Sequence, residues 1–209
     1  RDWTVAHMQA LGMSVQVDAI GNVVATYAGN EALPPVMTGS HIDTVRTGGL
    51  YDGNYGVMAG LEVVATLRDA GLRTRRPIQV AFFSNEEGAR FQPDMMGSLV
   101  LVGGMPLQEA LAVKAVDNGA TVSEELQRIG YAGKAPVGAP QVDCFVELHI
   151  EQGPVLEQQG MQIGVVEGVQ GICWMEFSFD GTSNHAGTTP MALRHDAGVC
   201  AMRTAAFIA

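Results

Sequence analysis

From 56 to 72, GVMAGLEVVATLRDAGL places apolar residues at helical spacing with a Gly near its end, which predicts an amphipathic helix. The same spacing predicts a helix over 2–11 and shorter ones over 95–102, 107–113 and 122–129. SVQVDAIGNVVATYAG (14–29) instead alternates apolar and polar residues around a Gly-Asn turn and predicts a hairpin. Three continuous apolar runs have strand length: PPVMTGS (34–40), PIQVAFFS (77–84) and DCFVELHI (143–150). Runs of that kind belong to strands buried on both faces. Strands alternating with helices predict an α/β layer structure around a largely parallel sheet.

After residue 168 the pattern changes. GICWMEFSFDG (171–181) alternates like an antiparallel strand with one exposed face, and Trp174 is expected to pack that part of the chain. A polar loop follows, then a helix from about 193. These features place a domain boundary near Val169, giving domains 1–168 and 169–209. KAPVGAPQ (134–141) reads as a Pro/Gly loop. Both termini interrupt helical patterns, which predicts that the 209 residues are a portion of a longer protein.

Composition narrows the function classes. The chain is 47% hydrophobic with a formal net charge of −10, and RTRR (73–76) is its one basic cluster. Nucleic acid and anionic membrane surfaces are poor partners for such a chain. No apolar run is long enough to span a bilayer. Cys144, Cys173 and Cys200 are odd in number, widely spaced and set in apolar segments. They read as reduced core thiols, consistent with a cytoplasmic location.

Chemistry gathers where the three apolar runs end. The first leads into His41 and Asp43, the second into Asn85, Glu86 and Glu87, the third holds Glu147, His149 and Glu151. In open α/β sheets, sites form in the crevice at the carboxyl ends of strands. His, Asp and Glu are ordinary nitrogen and oxygen ligands for zinc, manganese or nickel. Two adjacent Glu residues after a wholly apolar strand would desolvate each other unless a positive charge sits beside them. Taken singly, each His also fits a hydrogen-bonded core residue and NEEG a solvated turn. Ser183 lies near His185 but lacks the G-x-S-x-G elbow, and there is no phosphate-binding P-loop or H-E-x-x-H zinc motif.

GSHIDTVRTGGLYDGNYGV (39–57), FFSNEEGARF (82–91), ELHIEQGPVLE (147–157) and SNHAGTTPMALRHDA (183–197) together resemble the hydantoinase/carbamoylase branch of the M20 metallopeptidase family. The resemblance runs from about Gly21 to the end of the chain. It implies a metallopeptidase-type catalytic domain, followed by the start of an α+β, ferredoxin-like lid used for dimerisation. It also implies two divalent metal ions, zinc first with manganese, cobalt or nickel as options. His41 and His149 would bind the first metal, Asp52 would bridge both and Glu87 would bind the second. Glu86 would be the general base, Asp43 would orient an imidazole, and Gln152 would contact substrate. His185, from the partner of a homodimer, would stabilise the oxyanion. A further metal-binding His and the residues gripping the substrate carboxylate would lie beyond residue 209. The implied reaction is hydrolysis of the carbamoyl C–N bond of an N-carbamoyl-L-amino acid; allantoate amidohydrolase and β-ureidopropionase are the alternatives. A peptidase fits less well, because His149 stands where peptidases carry an acidic ligand. A non-catalytic scaffold would have lost a ligand or the base, and neither is missing from this stretch.

Overall fold

The computed structural model describes residues 1–138 and 141–208, so Ala139 and Pro140 of the Pro/Gly loop lie outside the described residues. The chain divides into two compact units, Arg1–Val155 and Leu156–Ala209. The change of pattern at Val169 falls inside the second.

The first unit is built on a five-stranded sheet in the order β1-β2-β4-β3-β5. Its strands are β1 (Ser14–Val17), β2 (Val23–Tyr27), β3 (Val36–His41), β4 (Ile78–Phe83) and β5 (Cys144–Val146). Its helices are α1 (Asp2–Ala10), α2 (Asn54–Asp69), α3 (Met96–Leu101), α4 (Leu107–Ala112) and α5 (Val122–Arg128), close to the spans that periodicity predicts. The sheet is mixed. β1 and β2 form the hairpin and β2 pairs antiparallel with β4, whereas β4, β3 and β5 run parallel.

The hairpin turn is closed by its own side chains. The Asp18 carboxylate accepts the N–H groups of Ile20 and Asn22 and the Asn22 amide. Asn22 is buried, and its amide also donates to Gly97 O while its Oδ1 accepts the N–H of Ser84. One side chain thus ties the hairpin, the end of β4 and the start of α3.

α2 lies across β3 and β4, burying Val57, Leu61 and Val64 completely or nearly so. Burying one such side chain contributes about 1.5–3 kcal/mol. The core continues through Met8, Leu11, Ile20, Val23, Val80, Phe82, Met96, Val100 and Leu126. α5 opens with a capping box: Thr121 Oγ1 accepts the Glu124 N–H, and the Glu124 carboxylate accepts the Thr121 N–H.

Four expectations need correction. β5 is not buried: Phe145 is 42% and Val146 59% exposed. β5 is an edge strand whose ladder is a three-residue pairing with β3, so an apolar run of strand length here marks strand identity but not coverage. Cys144, Cys173 and Cys200 are free and exposed rather than core thiols, because the apolar segments that carry them are themselves uncovered.

In the second unit, 171–181 forms no strand, and Trp174 is 91% exposed. Alternation suits a strand, but a ladder needs a second strand, and none is present among the described residues of this unit. After a 3₁₀ turn at Met191–Leu193, α7 (Ala197–Ile208) begins behind Asp196, whose Oδ1 accepts the Val199 N–H. A short helix, α6 (Val155–Gln158), lies at the division between the units.

Candidate metal centre

The parallel register decides what meets what. β3 pairs with β4 so that His41 sits beside Phe83, which places Glu86 and Glu87 just past the end of the neighbouring strand. Carrying the β3–β5 register beyond its last pair brings His149 level with His41, and their rings lie 5.8 Å apart. The third contribution comes from the start of α2. Asp52 precedes that helix, where the N-terminal end of the helix dipole favours a carboxylate.

The two imidazoles have the same orientation. His41 Nδ1 lies 2.9 Å from the carbonyl oxygen of Asp43, and His149 Nδ1 lies 2.9 Å from that of Ile150. A carbonyl only accepts, so both Nδ1 atoms carry a proton, and in the neutral imidazole it is Nε2 that keeps the free lone pair. Both Nε2 atoms lie near one carboxylate oxygen: Asp52 Oδ1 is 3.7 Å from His41 Nε2 and 3.3 Å from His149 Nε2. His41, Asp52 and His149 thus offer three ligand atoms within 4.8 Å of one another. His41 with Glu86 and Glu87 forms a second such group, in which Glu86 Oε2 is 3.5 Å from His41 Nε2. His41 and Asp52 are buried.

The donor set fits a divalent cation. Glu87 Oε1 is buried without a hydrogen-bond partner, the state of an oxygen reserved for a ligand bond. The carboxyl of Glu87 is raised above its ordinary value, first by burial and then by the Asp52 carboxylate beside it. Two carboxylates in contact need a shared proton or a cation between them. Burial likewise raises Glu86; His41 and His149 oppose that rise, and Asp43 and Glu147 add to it.

Gln152 lies against the cluster, with Nε2 donating to Asp52 Oδ2 at 2.7 Å. Asp43 reaches two ways. Its carbonyl holds His41, while its carboxylate accepts the N–H groups of Glu86 at 3.3 Å and Glu87 at 3.1 Å. His185 lies in the second unit. Its Nδ1 accepts the Gly187 N–H at 3.0 Å and its carbonyl accepts the Thr189 N–H.

Residue types alone did not single out two contributors. Ser40, buried at the end of β3, donates to Glu147 Oε1 across the edge of the sheet. Asn22 anchors the end of β4 from which Glu86 and Glu87 emerge; its place in the Gly-Asn turn signalled a hairpin and nothing of the site.

The geometry has counterparts. The model of peptidase family M20/M25/M40 matches residues 37–207. The chain is 46% identical over 194 residues to an N-carbamoyl-L-amino-acid amidohydrolase of Rhizobium meliloti, covering 92% of this chain and 46% of that protein. It is 38% identical over 212 residues to a ureidoglycolate hydrolase of Arabidopsis thaliana, covering 96% of this chain and 44% of that protein. A crystal structure of a hydantoinase/carbamoylase family amidase from Burkholderia multivorans superposes with a TM-score of 0.81 at 44% identity, over 97% of this chain and 49% of that one. The chain spans about half the length of the curated relatives it matches. The match from 37 to 207, with the likeness to hydantoinase/carbamoylase family amidases, establishes that the chain belongs to the M20/M25/M40 peptidase family, in its hydantoinase/carbamoylase branch.

Proposed function

We propose that this chain carries the metal-binding part of a two-metal amidohydrolase that cleaves the carbamoyl C–N bond of N-carbamoyl-L-amino acids, yielding amino acid, CO2 and ammonia. The observation that carries this reading is the convergence of His41, Asp52 and His149, beside a Glu87 oxygen that is buried and unpartnered. The similarity to N-carbamoyl-L-amino-acid amidohydrolases supports the substrate class. The division into a catalytic domain over 1–168 and a dimerisation domain from 169 belongs to the same reading.

In this scheme His41 and His149 would hold one cation and Glu87 the other, with Asp52 able to serve both. Bound there, zinc or another divalent metal would supply charge that polarises the scissile carbonyl and brings water toward ionisation near neutral pH. Glu86 takes the proton of that water on its carboxylate and passes it to the leaving nitrogen. Its raised proton affinity suits a group that must receive a proton and give it back. Glu86 and Glu87 thereby divide two tasks, one moving a proton and the other binding. Asp43 keeps His41 presenting Nε2 and holds the peptide of the Glu pair in place. Gln152 releases Asp52 Oδ2 and turns to the substrate when the site is loaded. His185, from the partner of a homodimer, donates to the oxygen that becomes negative, an effect of about 3 kcal/mol in comparable sites.

The similarity to a ureidoglycolate hydrolase favours a second reading in which the substrate is another ureido acid. Allantoate and N-carbamoyl-β-alanine share the same ureido group. One assay separates these readings. The full-length protein is given N-carbamoyl-α-amino acids, N-carbamoyl-β-alanine, allantoate and ureidoglycolate, and ammonia release is followed. The leading reading expects the first class to be turned over fastest, with activity lost to a chelator, restored by zinc or manganese, and nearly abolished in Glu86→Gln. Full activity in Glu86→Gln refutes the assigned base.

A further inference from the structure

His185 gains its orientation from a turn, and that turn is held by a residue outside the catalytic set. Residues 185–189 fold back on themselves, with Thr189 N–H donating to His185 O at 3.2 Å. Inside the turn, the Gly187 N–H donates to His185 Nδ1 at 3.0 Å. A nitrogen that accepts cannot carry the proton of a neutral imidazole, so the proton sits on Nε2. His185 is thus set as an Nε2–H donor, the reverse of the tautomer found at His41 and His149.

One side chain meets two carbonyls of this turn. Arg194 Nε donates to Thr189 O at 2.9 Å, and an Nη donates to Ala186 O at 2.6 Å. The planar guanidinium presents donors at fixed spacing, so a contact at both carbonyls fixes the separation of residues 186 and 189. The base of the loop is closed independently, with the Thr182 N–H donating to His195 O at 2.9 Å. Asp196, two residues beyond Arg194, accepts the Val199 N–H at the start of α7. Arg194 is therefore referenced to a helix and not to a free loop.

We propose that Arg194 is a positioning residue for the reaction: it clamps the 185–189 turn and thereby keeps His185 in the Nε2–H tautomer needed to donate to the developing oxyanion. This rests on the role given to His185 above. Arg194 touches neither substrate nor metal in this scheme. Its contribution appears as a loss of kcat with KM little changed, because ground-state binding does not depend on the oxyanion donor.

The test uses the full-length protein with Arg194→Gln, Arg194→Lys, His185→Gln and the double variant Arg194→Gln/His185→Gln. Folding is checked by circular dichroism and melting. Imidazole nitrogen NMR of histidine-labelled protein reports the His185 tautomer directly. Wild type is expected to show His185 protonated on Nε2 alone, and Arg194→Gln to show both tautomers. Turnover in Arg194→Gln should fall about 10–100-fold, the size of effect that misplacing a catalytic group produces. Arg194→Lys, which keeps the charge but not the fork, should fall between wild type and Arg194→Gln. In the His185→Gln background the further substitution should cost little, because the two act as one unit. An unchanged tautomer in a folded Arg194→Gln overturns the proposal, as does an equal loss in both backgrounds. Unchanged kcat in His185→Gln, with the tautomer still shifted by Arg194→Gln, would leave the clamp standing and remove the oxyanion role instead.

Discussion

The carboxylate of Asp43 accepts the backbone N–H of Glu87 at 3.1 Å, and it does so while the carbonyl of the same residue holds the His41 ring. Residues from β3 and from the end of β4 are thereby set by one side chain and its own backbone. The Glu86 N–H completes the cradle at 3.3 Å.

Asp43→Ala is expected to weaken metal binding about 10–100-fold, the usual cost of removing a group that orients ligands. Glu86 and Glu87 lose the carboxylate that holds their N–H groups, while the backbone carbonyl that holds His41 is kept. Calorimetric titration of the metal-free protein with zinc measures this. An affinity equal to wild type would mean that the peptide of the Glu pair is held by the β4–α3 contacts alone.

Gly53→Ala is expected to remove the centre while leaving most of the sheet. Gly53 has φ +65°, and a Cβ there would lie 2.4 Å from the His41 ring. The positive φ alone costs a side-chain-bearing residue about 1–3 kcal/mol, and the ring is buried with little room to retreat. Loss of zinc binding with a lower melting temperature is the expected result. This explains why Gly follows Asp52 in the sequence: the His41 ring packs where any larger residue would stand.

Gln152→Ala should leave metal binding equal to wild type or tighter, because the Gln152 amide competes for Asp52 Oδ2 at 2.7 Å. KM should rise if the same amide serves the substrate. Parallel measurement of zinc affinity and steady-state kinetics decides it; weaker zinc binding would show that Gln152 supports Asp52 instead of competing for it.

Asn22→Ala is expected to cost about 2–4 kcal/mol in urea unfolding. The Ser84 N–H, Gly97 O and Asp18 Oδ2 all lose a buried partner, and each buried group left unsatisfied costs about 1–3 kcal/mol. The sum stays below three full penalties where the surroundings relax.

Stability should carry an acid-side signature from Glu125, which accepts from Arg90 and Arg128 at 2.7 Å each. Those hydrogen bonds bring its carboxyl from an ordinary 4.5 down to about 2. The folded form holds the proton less tightly than the unfolded chain, so the contribution is complete above the ordinary value. It is lost as pH falls through the lowered one. The melting-temperature gap between wild type and Glu125→Gln should therefore shrink from pH 4.5 to pH 2. A gap that does not change across that window contradicts the assignment.

Much of this molecule is legible from local pattern. The helical spacing at 56–72 and the alternation at 14–29 correspond to α2 and the β1–β2 hairpin, because a side chain's direction follows from φ and ψ of its own segment. The polar residues after two apolar runs and within a third were readable as a crevice for the same reason: parallel strands align their carboxyl ends. Coverage was not readable. The apolar run at 143–150 looks like that at 77–84, yet β4 lies between two strands and β5 has β3 on one side only. Cys144 is exposed with its strand, and the alternation at 171–181 has no second strand to pair with among the described residues of its own unit.

The allocation of partners within the site was equally hidden. His41, Asp43, Glu86 and Glu87 are visible as residue types, but sequence order does not say that the Asp43 carbonyl takes the imidazole while its carboxylate takes the Glu pair. Nor does it say that Gln152 rests on Asp52, or that Arg194 spans the turn behind His185. Element type and residue chemistry follow from interactions within a few residues of each other. Partners within the centre depend on ångström-scale approach between segments far apart in the chain, which the packed register of β3, β4 and β5 sets, while the Arg194 contacts depend on how one turn of the second unit closes on itself.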